Sequence, residues 1–258
     1  MADPAPSERL RTDGLTVRHG GVVALSNVSI TAGAGEMVGL IGPNGAGKST
    51  FVDAVSGMVD HQGAVLVDGQ DVGALAAHDR VRAGLARTWQ SVELFDGLSV
   101  AEQCTVALAP TSRAPMWSDL VRRRRRGLPE PVGHVLELLG LADDADRPAS
   151  SLPAGRQKLV GVARALVGSP SVVLLDEPAA GLTSDEGRAL GEVLRGLTAD
   201  GTALVLIEHD TDLVFDLCDR VVMLDLGSVV VDGPPDVVRN DVRVVQAYLG
   251  TPPAEGSV

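Results

Sequence analysis

The sequence predicts an α/β fold with a parallel sheet, a β-rich N-terminal part and an inserted helical segment. Two continuous apolar runs of strand length, Val172–Leu175 and Ala203–Ile207, enclose the segment Ser184–Thr198, whose apolar residues have helical spacing. This strand–helix–strand order is typical of parallel strands joined by a crossover helix. The chain up to about residue 90 is rich in strand patterns, whereas residues 99–168 show helical periodicity, for example at Leu159–Val167.

Composition excludes several classes of protein. The 258 residues are 45% hydrophobic, which is enough for a substantial core. The net charge of −12 argues against a protein that binds nucleic acid by overall attraction, because phosphate contacts need an excess of Lys and Arg. The two cysteines, Cys104 and Cys218, form no CxxC pair, so a zinc ribbon, an iron–sulfur cluster and a disulfide framework are not expected. Both are expected to be buried as small hydrophobic side chains.

Neither a membrane span nor a signal peptide is expected. The apolar stretches are much shorter than the roughly 20 residues that a spanning helix needs. The N-terminal residues are polar and lack the apolar core of a signal peptide. We therefore expect a cytosolic protein, or a peripheral subunit on the inner side of a membrane.

A glycine-rich segment between a predicted strand and a predicted helix carries the strongest motif. It fits GxxxxGK[ST], and it follows the apolar run Met37–Ile41 and precedes the helical pattern Ser49–Met58. Glycines let the backbone approach phosphate oxygens, and N–H groups at a helix N-terminus attract anions. Lys48 is expected to neutralise the β- and γ-phosphates of ATP, and the Ser49 hydroxyl to ligate Mg²⁺. The candidate ATP-binding residues of this P-loop are Gly42, Pro43, Asn44, Gly45, Ala46, Gly47, Lys48, Ser49 and Thr50.

Two adjacent carboxylates follow the apolar run Val172–Leu175. They lie at the C-terminal end of a predicted parallel strand, where ligands bind in such sheets. Asp176 is expected to hold Mg²⁺, and Glu177 to polarise the water that attacks the γ-phosphate. Alone, an Asp-Glu-Pro segment is more often a turn, but a preceding P-loop favours the catalytic interpretation. The predicted fold class is therefore a P-loop NTPase (RecA-like) core with an N-terminal antiparallel β subdomain and an inserted α-helical subdomain.

The order of these motifs resembles the ATP-binding subunits of ABC transporters. The resemblance implies that Gln90 senses the γ-phosphate through Mg²⁺, as a catalytic and metal-contacting residue, and touches a membrane subunit. It also implies that His209 is the switch histidine of the catalytic site, and that the segment 180–182 crosses a dimer interface.

The resemblance implies one ABC ATPase domain over residues 10–250. Its parts would be a nucleotide-binding core (10–90 and 169–235), a helical subdomain (91–168) and a C-terminal helix (236–250), with flexible tails at 1–9 and 251–258.

Four segments resemble the ATPases of branched-chain amino-acid importers: Arg87–Gln90, Asp176–Leu182, Ile207–Asp210 and Val244–Gly250. The implied partners are a second ABC ATPase subunit, identical or related, integral membrane permease subunits and, indirectly, a solute-binding protein. The implied location is the cytoplasmic face of the cell membrane. A different solute (urea, amides or lipid-linked material) and a hydrolysis-poor regulatory ABC subunit remain alternatives. A soluble ABC protein of ribosome function or DNA repair is a further alternative, which the single P-loop and the lack of a long heptad array disfavour.

The signature segment departs from the family pattern. Most of the family has Leu-Ser-Gly-Gly-Gln, which caps the γ-phosphate of ATP held by the opposite subunit. Pro153 offers neither a hydroxyl nor an N–H group for that contact. The Arg156 side chain is expected to point into solvent rather than toward phosphate. The residues of this segment are Leu152, Pro153, Ala154, Gly155 and Arg156.

Two further features have open interpretations. His19 stands where the family usually has an aromatic residue that stacks on adenine, so we expect it to contact the base, with an ordinary loop residue as the alternative. The five arginines of Arg122–Arg126 are interpreted as a solvated helix face, with contact to anionic lipid or an acidic partner as the alternative.

Overall fold

Two β-sheets form the framework of the chain. The structure is a computed structural model that describes residues 7–89, 93–108 and 128–249. Within these ranges, a mixed sheet has the strand order β11-β10-β4-β9-β8-β7, and an antiparallel sheet has the order β2-β1-β5-β6, with β3 on β1. The strands are β1 (Glu8–His19), β2 (Val22–Val28), β3 (Thr31–Gly33), β4 (Met37–Ile41), β5 (Gln62–Val67), β6 (Gln70–Asp71), β7 (Leu85–Arg87), β8 (Val172–Asp176), β9 (Ala203–Ile207), β10 (Arg220–Asp225) and β11 (Ser228–Gly233).

Helices connect and cover the mixed sheet. They are α1 (Lys48–Val55), α2 (Ala77–Arg82), α3 (Val100–Ala107), α4 (Glu130–Leu138), α5 (Ala154–Leu166), α6 (Ser184–Ala199), α7 (Thr211–Leu217), α8 (Pro235–Arg239) and α9 (Val242–Leu249). The crossover helix α6 begins at a capping box, because the Thr183 hydroxyl accepts from the Glu186 N–H and the Glu186 carboxylate accepts from the Thr183 N–H. No helix of the described ranges combines the length and apolarity that a membrane crossing requires.

The mixed sheet is buried on both faces. Along β8, Val172 and Leu174 contact the cluster that includes the antiparallel sheet and α1, whereas Val173 and Leu175 contact the cluster that includes α3 to α6. Crossover helices on parallel strands produce this two-sided burial, which explains the continuous apolar runs. The fold class predicted from the sequence is therefore confirmed.

Both cysteines are free and buried, as predicted. Burial raises the pKa of the Cys104 and Cys218 thiols to about 12. The thiols therefore stay protonated near neutral pH, which makes them poor nucleophiles and poor metal ligands.

Two predicted segment boundaries are wrong. Glu8 and Arg9, assigned to a flexible tail over 1–9, begin strand β1, and Glu8 pairs with Gly33 of β3. The C-terminal helix predicted over 236–250 is two short helices, α8 and α9, separated at Asn240 and Asp241. The other predicted domain boundaries stay predictions.

A buried arginine closes the C-terminal end of the P-loop helix. Arg80 of α2 is only 2% exposed, and its guanidinium donates to the carbonyls of Ala54 and Val55 at 2.7 and 2.8 Å. It also donates to the carbonyls of Gly73 and Leu75 at 2.7 and 3.1 Å. Helix-terminal carbonyls need such donors, and a cation there favours the helix dipole. Arg80 therefore holds α1 from the end opposite its phosphate-facing N-terminus.

Replacing Arg80 with Leu is expected to destabilise the chain strongly. Arg80→Leu removes the guanidinium donor from the carbonyls of Val55, Gly73 and Leu75 and leaves Ala54 with the Gly57 N–H, so the free energy of unfolding should fall by about 3 kcal/mol. Chemical denaturation followed by circular dichroism measures this change. The control is Arg188→Leu on α6, because Arg188 forms an exposed ion pair with Asp185 and its loss should change stability by less than ~1 kcal/mol. Equal stability losses in the two variants would contradict the assigned role of Arg80.

Candidate nucleotide-binding and hydrolysis site

The P-loop opens into a cleft of about 500 Å³ at the C-terminal end of the parallel strands. The cleft brings together the P-loop, both carboxylates predicted at the end of β8, and the histidine that follows β9. Its lining residues are Val22, Val23, Ala24, Asn44, Gly45, Ala46, Gly47, Lys48, Ser49, Thr50, Asp176, Glu177, Ile207, His209 and Leu226.

Gly47 places the first turn of α1 at this cleft. It precedes the helix with φ of +107°, which L side chains rarely adopt. A Cβ atom at this position would lie 2.8 Å from Leu25 Cδ2 and 2.9 Å from the Ala24 carbonyl oxygen. Only glycine therefore fits, and the N–H groups at the start of α1 are left to face an anion in the cleft.

The Lys48 ammonium is buried inside the loop. Its Nζ donates to the carbonyl oxygens of Gly42 at 2.5 Å and Pro43 at 3.1 Å. Burial lowers the pKa of Lys48, and the carboxylates of Glu177 and Asp176 oppose that shift. A desolvated cation gains more from an anionic phosphate than an exposed one does, because water screens it less.

The C-terminal helix also contacts the P-loop. The Tyr248 hydroxyl in α9 accepts a hydrogen bond of 2.8 Å from the Gly42 N–H. Burial raises the pKa of Tyr248, so its hydroxyl stays neutral and keeps this contact near neutral pH. Tyr248 lies in the segment Val244–Gly250, which resembles the importer ATPases, but the sequence predicted no role for it at the site.

Asp176 ends β8 as a buried carboxylate, 4% exposed. Burial raises the pKa of Asp176, while the Arg87 guanidinium, 3.9 Å away, opposes the rise. The Asp176 N–H donates to the Thr88 hydroxyl at 2.9 Å, which fixes the end of the strand. Arg87 also forms a 2.6 Å ion pair with Asp53 and lies over the Trp89 ring, so it connects helix α1 to the end of β8.

Glu177 and His209 form a pair at the mouth of the cleft. The Glu177 Oε1 lies 2.8 Å from the His209 Nε2, and Glu177 is largely buried while His209 is exposed. The Glu177 backbone is left-handed, with φ of +48°. A non-glycine residue in this region costs of order 1–3 kcal/mol and needs surrounding restraints. One restraint is the Glu177 N–H, which donates to the Ile207 carbonyl at 2.9 Å.

The site suits Mg²⁺ that is shared with phosphate oxygens. The Ser49 and Asp176 side chains, both with oxygen donors, line the same cleft. In the described ranges, no group of three His, Cys, Asp or Glu residues is arranged to hold a metal by itself. Mg²⁺ prefers oxygen ligands and often takes only one or two from protein when it binds a nucleotide. The donor set therefore fits a nucleotide-bound Mg²⁺.

The cleft is lined by two valines near the predicted base-contacting residue His19, but not by His19 itself. His19 is exposed at the end of β1 and is not among the lining residues, whereas Val22 and Val23 are. These valines are 68% and 38% exposed, so they offer apolar surface to a planar ring. Contact of His19 with the base stays a prediction.

Helix α5 begins with the signature segment. Pro153 directly precedes the helix, and Gly155 packs so closely on the loop after Glu177 that a Cβ atom would lie 2.7 Å from the Gly181 carbonyl oxygen. The expectation that Arg156 points into solvent is wrong. Its Nη2 lies 2.6 Å from the Asp144 carboxylate and 2.7 Å from the Gly140 carbonyl oxygen. The Asp144 carboxylate therefore neutralises the Arg156 guanidinium and holds it against the protein.

Two predicted features lie outside the described residues. Gln90 and the arginines Arg122–Arg126 fall in the gaps at 90–92 and 109–127. Their proposed roles stay predictions.

Comparison with known protein families identifies the family of this chain. The sequence pattern of the family described as ABC transporter matches residues 25–180, which include the P-loop, the signature segment and the Asp176–Glu177 pair. The chain belongs to the ABC transporter family. It is an ATP-binding cassette that binds and hydrolyses ATP. The resemblance predicted from the motif order is confirmed.

Several individual proteins are similar to this chain over most of its length. The cassette is 36% identical over 248 residues to the high-affinity branched-chain amino acid transport ATP-binding protein LivG of Escherichia coli, covering 93% of this chain and 97% of LivG. It is 32% identical over 227 residues to the lipopolysaccharide export system ATP-binding protein LptB of Haemophilus influenzae, covering 88% and 90%. Among solved structures, a nucleotide-free ATP-binding cassette from an ABC transporter superposes with a TM-score of 0.82, at 28% identity, covering 95% of this chain and 100% of that one.

Proposed function

We propose that this cassette powers an importer of branched-chain amino acids or a related small solute. The similarity to LivG over 93% of the chain supports the solute class, together with the four segments noted in the sequence. The observation that carries the energy-supplying role is the Glu177–His209 pair, 2.8 Å apart and in one cleft with the P-loop.

In this proposal the P-loop and Lys48 bind the phosphates of ATP. The N–H groups at the start of α1 and the Lys48 ammonium neutralise the β- and γ-phosphates. Ser49 and Asp176 would hold Mg²⁺, and Gln90 is the further contact that the sequence predicts. Bound Mg²⁺ would supply charge neutralisation and fix the phosphate oxygens.

Glu177 acts as the general base. Its carboxylate accepts a hydrogen bond from a water, and takes the proton of that water as the oxygen attacks the γ-phosphorus. The bond from the γ-phosphorus to the β–γ bridging oxygen breaks, and the electron pair leaves on ADP. His209 orients the Glu177 carboxylate through the contact at 2.8 Å, and it lines the cleft that would hold the terminal phosphate.

The proposal includes an assembly at the cytoplasmic face of the cell membrane. A second ABC ATPase subunit pairs with this one, and integral permease subunits take up the work of ATP hydrolysis. A solute-binding protein delivers the solute to the permease. Nucleic acid is not a partner in this proposal, because the net charge of −12 opposes phosphate-backbone contacts.

Reconstituted transport tests the solute. The chain, assembled in liposomes with the permease subunits and the solute-binding protein of the proposed importer, should take up radiolabelled leucine in an ATP-dependent manner. The matched control carries Glu177→Gln and should take up leucine at least ~100-fold more slowly. ATP-dependent uptake of urea or an amide instead, or extrusion of a lipid-linked substrate, would overturn the solute and favour the corresponding alternative.

A further inference from the structure

A lysine outside the P-loop holds the backbone of the residue to which we assign general-base catalysis. Lys158 lies on α5, and its Nζ donates a 2.9 Å hydrogen bond to the Glu177 carbonyl oxygen. The side chain is partly buried, in the groove that Asp176 and Glu177 also line. The ammonium therefore sits behind the catalytic loop rather than in the nucleotide cleft.

The loop after β8 needs restraints because its backbone is strained. Glu177 has φ of +48°, a region that non-glycine residues keep only where neighbouring groups enforce it. Two restraints come from the end of β9. The Glu177 N–H donates to the Ile207 carbonyl oxygen at 2.9 Å, and the Ala179 N–H donates to the Glu208 carboxylate at 2.8 Å. These two contacts fix the loop to the sheet.

Lys158 supplies a restraint of a different origin, because it comes from the helix that carries the signature segment. Gly155 and Lys158 lie three residues apart and therefore share one face of α5. Gly155 packs against the Gly181 carbonyl oxygen and Lys158 bonds the Glu177 carbonyl oxygen, so this face contacts both ends of the loop.

The first turn of α5 is in turn tied to the chain segment that contains Gly140 and Asp144. Arg156, on its first turn, donates to the Asp144 carboxylate at 2.8 Å and to the Gly140 carbonyl oxygen at 2.7 Å. Asp144 is also held by Arg147 at 2.6 Å. The first turn of α5 is therefore tied to the segment around Asp144, whereas the residues at the end of β9 belong to the mixed sheet.

We propose that Lys158 is a positioning residue that makes the conformation of Glu177 depend on the placement of helix α5. With Lys158 in contact, the loop is held on both sides and the Glu177 carboxylate stays beside His209. A displacement of the signature-bearing turn breaks the contact from α5 while the two contacts from β9 persist. Hydrolysis is then sensitive to what touches the first turn of α5.

The test is a double-substitution cycle on the full-length chain. Lys158→Met keeps the length of the side chain and removes its donor, and Lys158→Arg restores a donor. We expect Lys158→Met to lower ATP turnover by roughly 10-fold to 100-fold, with the Kd for a fluorescent ATP analogue within about twofold of the parent. Lys158→Arg should recover most of the turnover. The control Arg188→Met, an exposed cation on α6, should change neither quantity.

The cycle is completed in the Glu177→Gln background under single-turnover conditions. Since Lys158 acts through Glu177, adding Lys158→Met there should not slow the residual hydrolysis further. Equal slowing in both backgrounds would overturn the proposal, and so would parental turnover in Lys158→Met. If Lys158→Met does not fold by circular dichroism, the Lys158→Gln variant carries the same comparison.

This inference rests on the proposed role of Glu177, and separate results would contradict the role of Glu177 and the role of Lys158. Parental turnover in Glu177→Gln alone removes the role of Glu177. If ATP turnover falls strongly in Glu177→Gln but stays at the parental level in Lys158→Met, only the proposed role of Lys158 is wrong.

Discussion

Glu177→Gln is expected to bind ATP as the parent does and to hydrolyse it roughly 10² to 10⁴ times more slowly. The amide has nearly the shape of the carboxylate and can keep a hydrogen bond to His209, so the cleft should stay intact. It cannot take a proton from water, and the loss of a positioned general base has this magnitude. Phosphate release under saturating ATP measures the rate, and titration with a fluorescent ATP analogue measures the affinity.

A matched control separates this chemical effect from loss of charge alone. Glu192→Gln makes the same substitution on the exposed face of α6 and should leave turnover unchanged. Turnover of Glu177→Gln at the parental level would assign the general base to another group. A large increase in the Kd for the nucleotide would instead give Glu177 a binding role.

The parts of the site that the sequence predicted are encoded in short segments. The P-loop needs glycines, a lysine and a hydroxyl within nine consecutive positions, and an apolar strand must precede it. The pair Asp176–Glu177 is likewise placed by the strand that ends there. In both cases local sequence sets the geometry, because a strand end and a helix start determine where the side chains lie.

The supporting contacts could not be predicted, because they join residues distant in sequence. Tyr248 lies 206 positions from Gly42, and Lys158 lies 19 positions from Glu177. A lysine or tyrosine on a helix gives no signal of its partner, and the carbonyls and N–H groups that they contact have no side-chain signature. Glu208, next to the predicted His209, drew no prediction from the sequence, yet it is buried and its carboxylate accepts a hydrogen bond from the Ala179 N–H.

Arg156 shows how a motif comparison misleads. Compared with the family signature, an arginine in place of glutamine has two obvious destinations, phosphate or solvent. The structure gives a third, since Asp144 lies 12 positions earlier in the helical subdomain and accepts the guanidinium. The substitution Arg156→Gln would therefore leave the Asp144 carboxylate paired with Arg147 alone. Such a variant would alter the contacts of Asp144 as well as the signature segment.

Lys48→Ala is expected to weaken ATP binding by ~100-fold or more. The ammonium would make charge-assisted hydrogen bonds to phosphate oxygens in a partly desolvated loop, and each such bond contributes about 1.5–3 kcal/mol. Titration with a fluorescent ATP analogue measures the loss, with circular dichroism to verify the fold. The chain has one other lysine, so Lys158→Ala is the matched control. Its ammonium bonds the Glu177 carbonyl oxygen and not the P-loop, so this variant should keep parental affinity while its turnover falls. Equal affinities for the parent and Lys48→Ala would remove Lys48 from the phosphate site. Equal losses of affinity in the two lysine variants would show that net charge, rather than the placement of Lys48 inside the loop, determines ATP binding.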